Sequence, residues 1–123
     1  MSGEQGIAVQ LEQMTGEATQ GAFEAFAAQV RVVPSVEQVR GQVAGTYLHL
    51  VTYMNRSTRG ERVRVYEAQR TIHDRFPHLH FEFDVVDRQG QPMEPAPTRN
   101  HQLIERIRSV PDRLHVPPTP EVQ

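Results

Sequence analysis

Between residues 78 and 87 the sequence alternates ionisable and apolar side chains. The ionisable positions are His78, His80, Glu82 and Asp84. The apolar positions are Leu79, Phe81, Phe83 and Val85. Because successive side chains of a β-strand point to opposite faces, this pattern predicts a strand over 78–87. One face of that strand belongs to a core, and the other carries a row of titratable groups.

Imidazole and carboxylate groups on one strand face suit a divalent transition metal such as zinc, manganese, nickel or iron. Alternate residues of a strand lie ~6.6 Å apart, so His78 and His80 can approach one ion if another element supplies a further ligand. We therefore predict a metal site from His78, His80 and Glu82, with His49 from a second strand. A row of polar side chains solvated on an open sheet face explains the same spacing without a metal.

A second candidate site is the loop that contains Arg56, Ser57, Thr58 and Arg59. It is predicted to join a strand to the first turn of a helix, where free backbone N–H groups and the helix dipole favour an anion. The two arginines can pair with a phosphate or carboxylate. The loop has no P-loop fingerprint, and a capped surface turn with solvated arginines is the alternative.

The residue types that are absent exclude several chemistries. The chain has no cysteine. It also has no lysine, because all 13 residues counted as Lys or Arg are arginine. These two absences exclude thiol nucleophiles, disulfides, Cys-ligated zinc, Schiff-base lysines and the P-loop lysine. No serine lies in a G-x-S-x-G elbow, and the adjacent His73 and Asp74 diverge on a helix. We assign no catalytic residue and favour a protein that is not an enzyme.

The composition is that of an ordinary globular domain. The chain has 123 residues, 37% of them hydrophobic, and a formal net charge of −2. The net charge is too small to create an electrostatic field that would imply nucleic acid as a partner. No segment is apolar enough to span a membrane. The start lacks the pattern of a secretory signal, so we expect a cytoplasmic protein. The preference for arginine over lysine suggests a GC-rich bacterial genome.

Periodicity and turn residues predict the order of elements. Residues 1–15 form an N-terminal arm or an edge strand, and 16–110 form one α+β domain. Within the domain a helix spans about 17–32, a hairpin about 36–55, a capped helix about 59–76 and the strand 78–87. A last helix lies near 99–110, after a proline-containing connector. The proline-rich tail, 111–123, is expected to be disordered.

This order, with the first strand included, matches βαββαβ and predicts a ferredoxin-like plait. We expect an antiparallel sheet of four strands, or three without the N-terminal one, with two helices on one face and a C-terminal helix. Over residues 20–87 the layout resembles small ferredoxin-like regulatory modules in topology. The phrases Pro34-Ser35-Val36 and Arg75-Phe76-Pro77 mark its element boundaries.

An open sheet face is the predicted functional surface. It would carry Tyr47, Val51 and Tyr53, and an apolar patch of that kind favours contact with a second copy. We therefore expect a homodimeric binding or regulatory module with an unidentified ligand. The alternatives are a metal-binding module built on His-x-His-x-Glu, and a small enzyme whose anionic substrate is held at the Arg56–Arg59 loop.

Overall fold

The computed structural model describes residues 2–96 and 102–108, with side chains for 16–96 and 102–108. It contains two helices and four strands. The elements in chain order are α1 (Ser2–Val30), β1 (Val36–Ala44), β2 (Tyr47–Met54), α2 (Arg59–Arg75), β3 (His80–Asp87) and β4 (Gln102–Arg106). The class is α+β, as the sequence predicts.

The four strands form one mixed sheet in the order β3-β2-β1-β4. β1 pairs antiparallel with both β2 and β4, whereas β2 and β3 are parallel. A parallel pair needs a crossover connection, and α2 provides it. The fully antiparallel sheet predicted above is therefore wrong at β2–β3, and a ferredoxin-like plait is not confirmed.

Two predicted elements differ from the observed ones. The arm or edge strand predicted for residues 1–15 is absent, since α1 begins at Ser2 and continues through that segment. The helix predicted near 99–110 is wrong over Gln102–Arg106, which pairs with β1 as a strand. A five-residue segment with apolar side chains only at Leu103 and Ile104 fits either structure, and an available sheet edge decides for the strand. The tail predicted to be disordered, 111–123, lies outside the described residues.

The core lies between the sheet and the two helices. The predicted stripe of α1, Phe23, Phe26 and Val30, is buried as expected. Phe23 packs directly on β1, where a Cβ added to Gly41 would come within 2.9 Å of its ring. A side chain at position 41 would therefore force the Phe23 ring out of its present position.

The α2 boundaries follow from local chemistry. Thr58 caps the helix by accepting a hydrogen bond from the Glu61 backbone N–H at 3.1 Å. The Glu61 carboxylate returns the contact to the Thr58 N–H at 2.8 Å, which completes the predicted capping box. The bond from the Thr58 N–H is the largest cause that lowers the pKa of Glu61. Contacts with the Thr58 side chain and with Ser35 act in the same direction, and burial acts against them.

β3 has the predicted two-sided pattern, although it begins at His80 rather than at residue 78. Phe81, Phe83 and Val85 are half-buried against the core, and the Phe83 ring lies 5.9 Å from that of Phe26. The alternate residues of the strand are exposed. Because β3 is an edge strand, the helices cover its apolar side only partly.

Thr52, at the centre of β2, is a buried polar residue whose replacement is expected to stabilise the fold. Its side chain is fully buried on the helix-facing side of β2, and its hydroxyl has no hydrogen-bond partner in the described part of the chain. Thr52→Val keeps the shape and removes that unsatisfied group, so we expect a gain of about 1 kcal/mol. Urea denaturation of both proteins measures it; a destabilised variant would contradict the argument.

Within residues 2–96 and 102–108, no helix combines the length and apolar character needed to cross a membrane.

Candidate functional site

The sheet face turned away from the helices carries most of the ionisable side chains of the four strands. The register places side chains from all four strands in rows across it. One row is Gln102, Gln42, His49 and Glu82. The next row is Ile104, Arg40, Val51 and Asp84. Hereafter this side is the open face.

Part of the open face is covered by the chain that joins β3 to β4. These strands lie at opposite edges of the sheet. The Arg40 guanidinium donates a hydrogen bond to the Glu94 backbone carbonyl, which places the connector against β1. Arg40 also donates to the Gln38 side-chain oxygen and, at 3.3 Å, to the Tyr53 hydroxyl. These contacts bury Arg40, Gln38 and Tyr53.

On the uncovered part, one histidine meets two carboxylates. The His49 Nε2 atom lies 2.6 Å from an Asp84 oxygen and 3.5 Å from a Glu82 oxygen. His49 is 28% exposed, and the two carboxylate side chains are 55% and 59% exposed. The parallel register sets this geometry, since it pairs His49 with Glu82 and Val51 with Asp84. We call these three residues the His49 cluster.

Tyr47 orients one of the two carboxylates. Its hydroxyl donates a hydrogen bond of 2.8 Å to Glu82. That bond, together with burial and the charges of Glu82 and Asp84, raises the pKa of Tyr47 above its ordinary value. The phenol therefore stays protonated and holds the Glu82 oxygen close to His49.

The geometry of the His49 cluster suits a metal ion. One ligand atom from each residue lies within 4.8 Å of the others. Zinc bonds to nitrogen and oxygen of about 2.0–2.2 Å require tetrahedral ligand separations of about 3.4 Å. The His49–Glu82 distance of 3.5 Å already matches that value. The His49–Asp84 distance must open by less than an ångström, which an exposed aspartate rotamer permits.

The predicted metal ligands are only partly brought together. His49 and Glu82 meet, as the sequence prediction requires. His80 opens β3 opposite Tyr47, on the open face but outside the cluster, and His78 lies in the turn before the strand. Asp84 takes the third place. It belongs to the predicted ionisable row but was not in the predicted ligand set, because only the β2–β3 register shows its proximity to His49.

The predicted anion-binding loop already contacts an anion from the protein itself. The backbone N–H groups of Arg56 and Ser57 donate to the Asp87 carboxylate at 2.8 and 2.7 Å. The Ser57 hydroxyl adds a bond of 2.6 Å, and the Gln89 N–H adds one of 2.9 Å. An external anion at these N–H groups would have to displace Asp87. The loop therefore has a structural function in this conformation.

Burial by itself would raise the pKa of Asp87, but its hydrogen bonds from the Ser57 side chain and from three backbone N–H groups outweigh that effect. The balance lowers the pKa of Asp87 to about 2. A carboxylate held in this way remains ionised throughout the physiological range, and it ties the end of β3 to the start of α2.

Sequence reasoning missed a second feature of the open face, the buried charge of Arg40. Only 6% of this residue is exposed, and its hydrogen-bond acceptors given above are neutral oxygens. No carboxylate of the described residues lies within salt-bridge distance. The guanidinium lies over the Tyr53 ring at 4.3 Å. Such a contact contributes about 0.5–2 kcal/mol, less than the several kcal/mol that burying an ion costs.

Comparisons with protein-family models, with curated proteins and with solved structures found no match to this chain. No residue here inherits a role from a relative.

Proposed function

We propose that this chain is a small binding module that holds a divalent transition-metal ion on the open face of its sheet. The observation that carries the proposal is the convergence of one imidazole nitrogen and two carboxylate oxygens within 4.8 Å. His49, Glu82 and Asp84 are the proposed ligands. Three protein ligands leave a fourth coordination position for water or a bound molecule, as in zinc sites that keep one position open.

The surroundings of the cluster support a pre-positioned site. His49 and its carboxylate partners lie on two directly paired strands rather than on loops, so the backbone holds their spacing. Tyr47 supplies an outer contact to Glu82, the type of interaction that orients metal ligands. An ion pair between exposed side chains explains the same distances without a metal, and the experiment must separate the two.

The test is a titration of chelator-treated protein with Co²⁺ and Zn²⁺, followed by calorimetry and by the visible spectrum of cobalt. We expect one ion per chain. Both His49→Ala and Asp84→Asn should weaken binding at least about tenfold, since loss of even outer-shell partners costs 10–100-fold. Binding should also weaken as the pH falls, because protons compete with the metal ion for the ligand atoms.

His73 provides the matched control. Contrary to the divergence expected from the sequence, His73 Nδ1 lies 3.5 Å from an Asp74 oxygen on α2, and no second carboxylate of the described residues pairs with it. His73→Ala should leave the affinity unchanged. No stoichiometric binding, or equal losses in His73→Ala and His49→Ala, would refute the site.

The homodimer predicted from the sequence stays a prediction. Among the described residues of the open face, Tyr47, Val86 and Ile104 are exposed apolar side chains, but the register places them in separate rows, so they do not form one contiguous patch.

A further inference from the structure

A pocket of about 170 Å³ opens beside the His49 cluster, on the same sheet face. Its wall includes Arg40, Gln42, His49, Val51, Tyr53 and Gln102. The volume equals that of about six water molecules at about 30 Å³ each, which suits a small organic molecule. We propose that this pocket binds a small monocarboxylate, whose charge pairs with Arg40.

The charge of Arg40 is the first observation that supports this ligand. Arg40 as a residue is more than nine-tenths buried, it lines the pocket wall, and the acceptors of its guanidinium are neutral. A buried charge is stable when an opposite charge pairs with it. Among the described residues no carboxylate lies within ion-pair distance of Arg40, and an anion bound in the pocket would supply the opposite charge.

The remaining wall distinguishes a carboxylate from other anions. The Tyr53 hydroxyl accepts its bond from Arg40, so its own O–H can donate to a ligand oxygen. Gln42 and Gln102 add amide groups, and Val51 provides an apolar surface for a short carbon chain. On the far side of His49 lie the carboxylates of Glu82 and Asp84, whose negative charge disfavours a dianion such as phosphate.

This proposal does not depend on the metal site, although His49 belongs to both. Chelator-treated protein contains no metal, so binding of a carboxylate to that form tests the pocket by itself. Failure of the metal titration would leave it intact.

The experiment follows the amide and side-chain N–H resonances of ¹⁵N-labelled, chelator-treated protein during additions of sodium acetate. Sodium chloride and sodium phosphate at matched ionic strength are the comparison anions. We expect saturable shifts at Arg40, Gln42 and Gln102 with acetate, and none of that kind with chloride. Linear shifts shared by acetate and chloride would overturn the proposal, and tighter binding of phosphate would overturn the choice of a monoanion.

Two variants test the position of the ligand. Gln38→Glu puts a carboxylate where an amide oxygen now accepts a bond from Arg40, so the protein supplies its own counter-ion. We expect a higher melting temperature and an acetate affinity at least about tenfold lower. Gln69→Glu, on α2, makes the same change of charge away from the pocket and should preserve binding.

Val51→Phe is the second variant and leaves Arg40 in place. It fills the pocket with a larger apolar side chain, and it should also abolish the saturable shifts. Acetate affinity equal to that of the wild type in both Gln38→Glu and Val51→Phe would show that the ligand does not bind here.

Discussion

Arg88→Met is expected to destabilise the protein by about 3 kcal/mol, because it leaves the Glu37 carboxylate buried without its partner. The two side chains form a two-pronged ion pair, with contacts of 2.7 and 3.2 Å. They are only 13% and 11% exposed. The hydrogen bond that Arg88 donates to the Glu37 carboxylate is the main cause that raises the pKa of Arg88, against the effect of burial.

The Arg88–Glu37 pair lies where the pairing of β1 with β2 is irregular. The register of β1 shifts between Val36 and Gln38, so Glu37 is the extra residue of a β-bulge. Its backbone carbonyl accepts hydrogen bonds from the N–H groups of Ile107 and Arg108. Glu37 therefore joins the end of β3, through Arg88, to the chain that follows β4.

Chemical denaturation of Arg88→Met, Glu37→Gln and the double variant measures the coupling between the two residues. The matched control is Arg31→Met, which breaks the exposed pair Arg31–Glu105, 3.8 Å apart. That pair should contribute at most about 1 kcal/mol. Similar losses of stability in Arg31→Met and Arg88→Met would mean that burial of the Arg88–Glu37 pair has no energetic consequence.

Asp87→Asn is expected to destabilise the protein by about 2 kcal/mol at neutral pH, since the amide keeps the shape but loses the charge that accepts four hydrogen bonds. The effect should depend on pH in a defined direction. The pKa of Asp87 is lowered from 3.8 to about 2 on folding. Its ionised form therefore stabilises the fold fully well above pH 3.8, and that contribution disappears as the pH falls through 2.

The measurement is the difference in the free energy of unfolding between the wild type and Asp87→Asn across the acidic range. Other carboxylates titrate there too, but they cancel in the difference. We expect a constant difference at neutral pH that shrinks by roughly 1–2 kcal/mol below pH 4, after allowance for partial exposure. Asp74→Asn, an exposed control on α2, should change stability by less than about 0.5 kcal/mol. A difference that stays constant down to pH 2 would contradict the shifted pKa of Asp87.

Features encoded by neighbouring residues could be predicted from the sequence. Thr58 and Glu61 are three residues apart, so the cap of α2 is a local event. The two faces of β3 follow from a period of two, and the buried stripe of α1 follows from spacings of three and four. In each case the residues that interact also lie close together in the chain.

Only the tertiary structure decided which strands pair and in what register. His49 and Glu82 were both predicted as candidates, but residues 33 positions apart meet only because β2 and β3 run parallel with Tyr47 opposite His80. A slip of one residue would turn Glu82 and Asp84 towards the helices. No local pattern sets that register. The same reason applies to Asp87 at the Arg56–Ser57 loop, and to β4, where a free sheet edge outweighs a short ambiguous pattern.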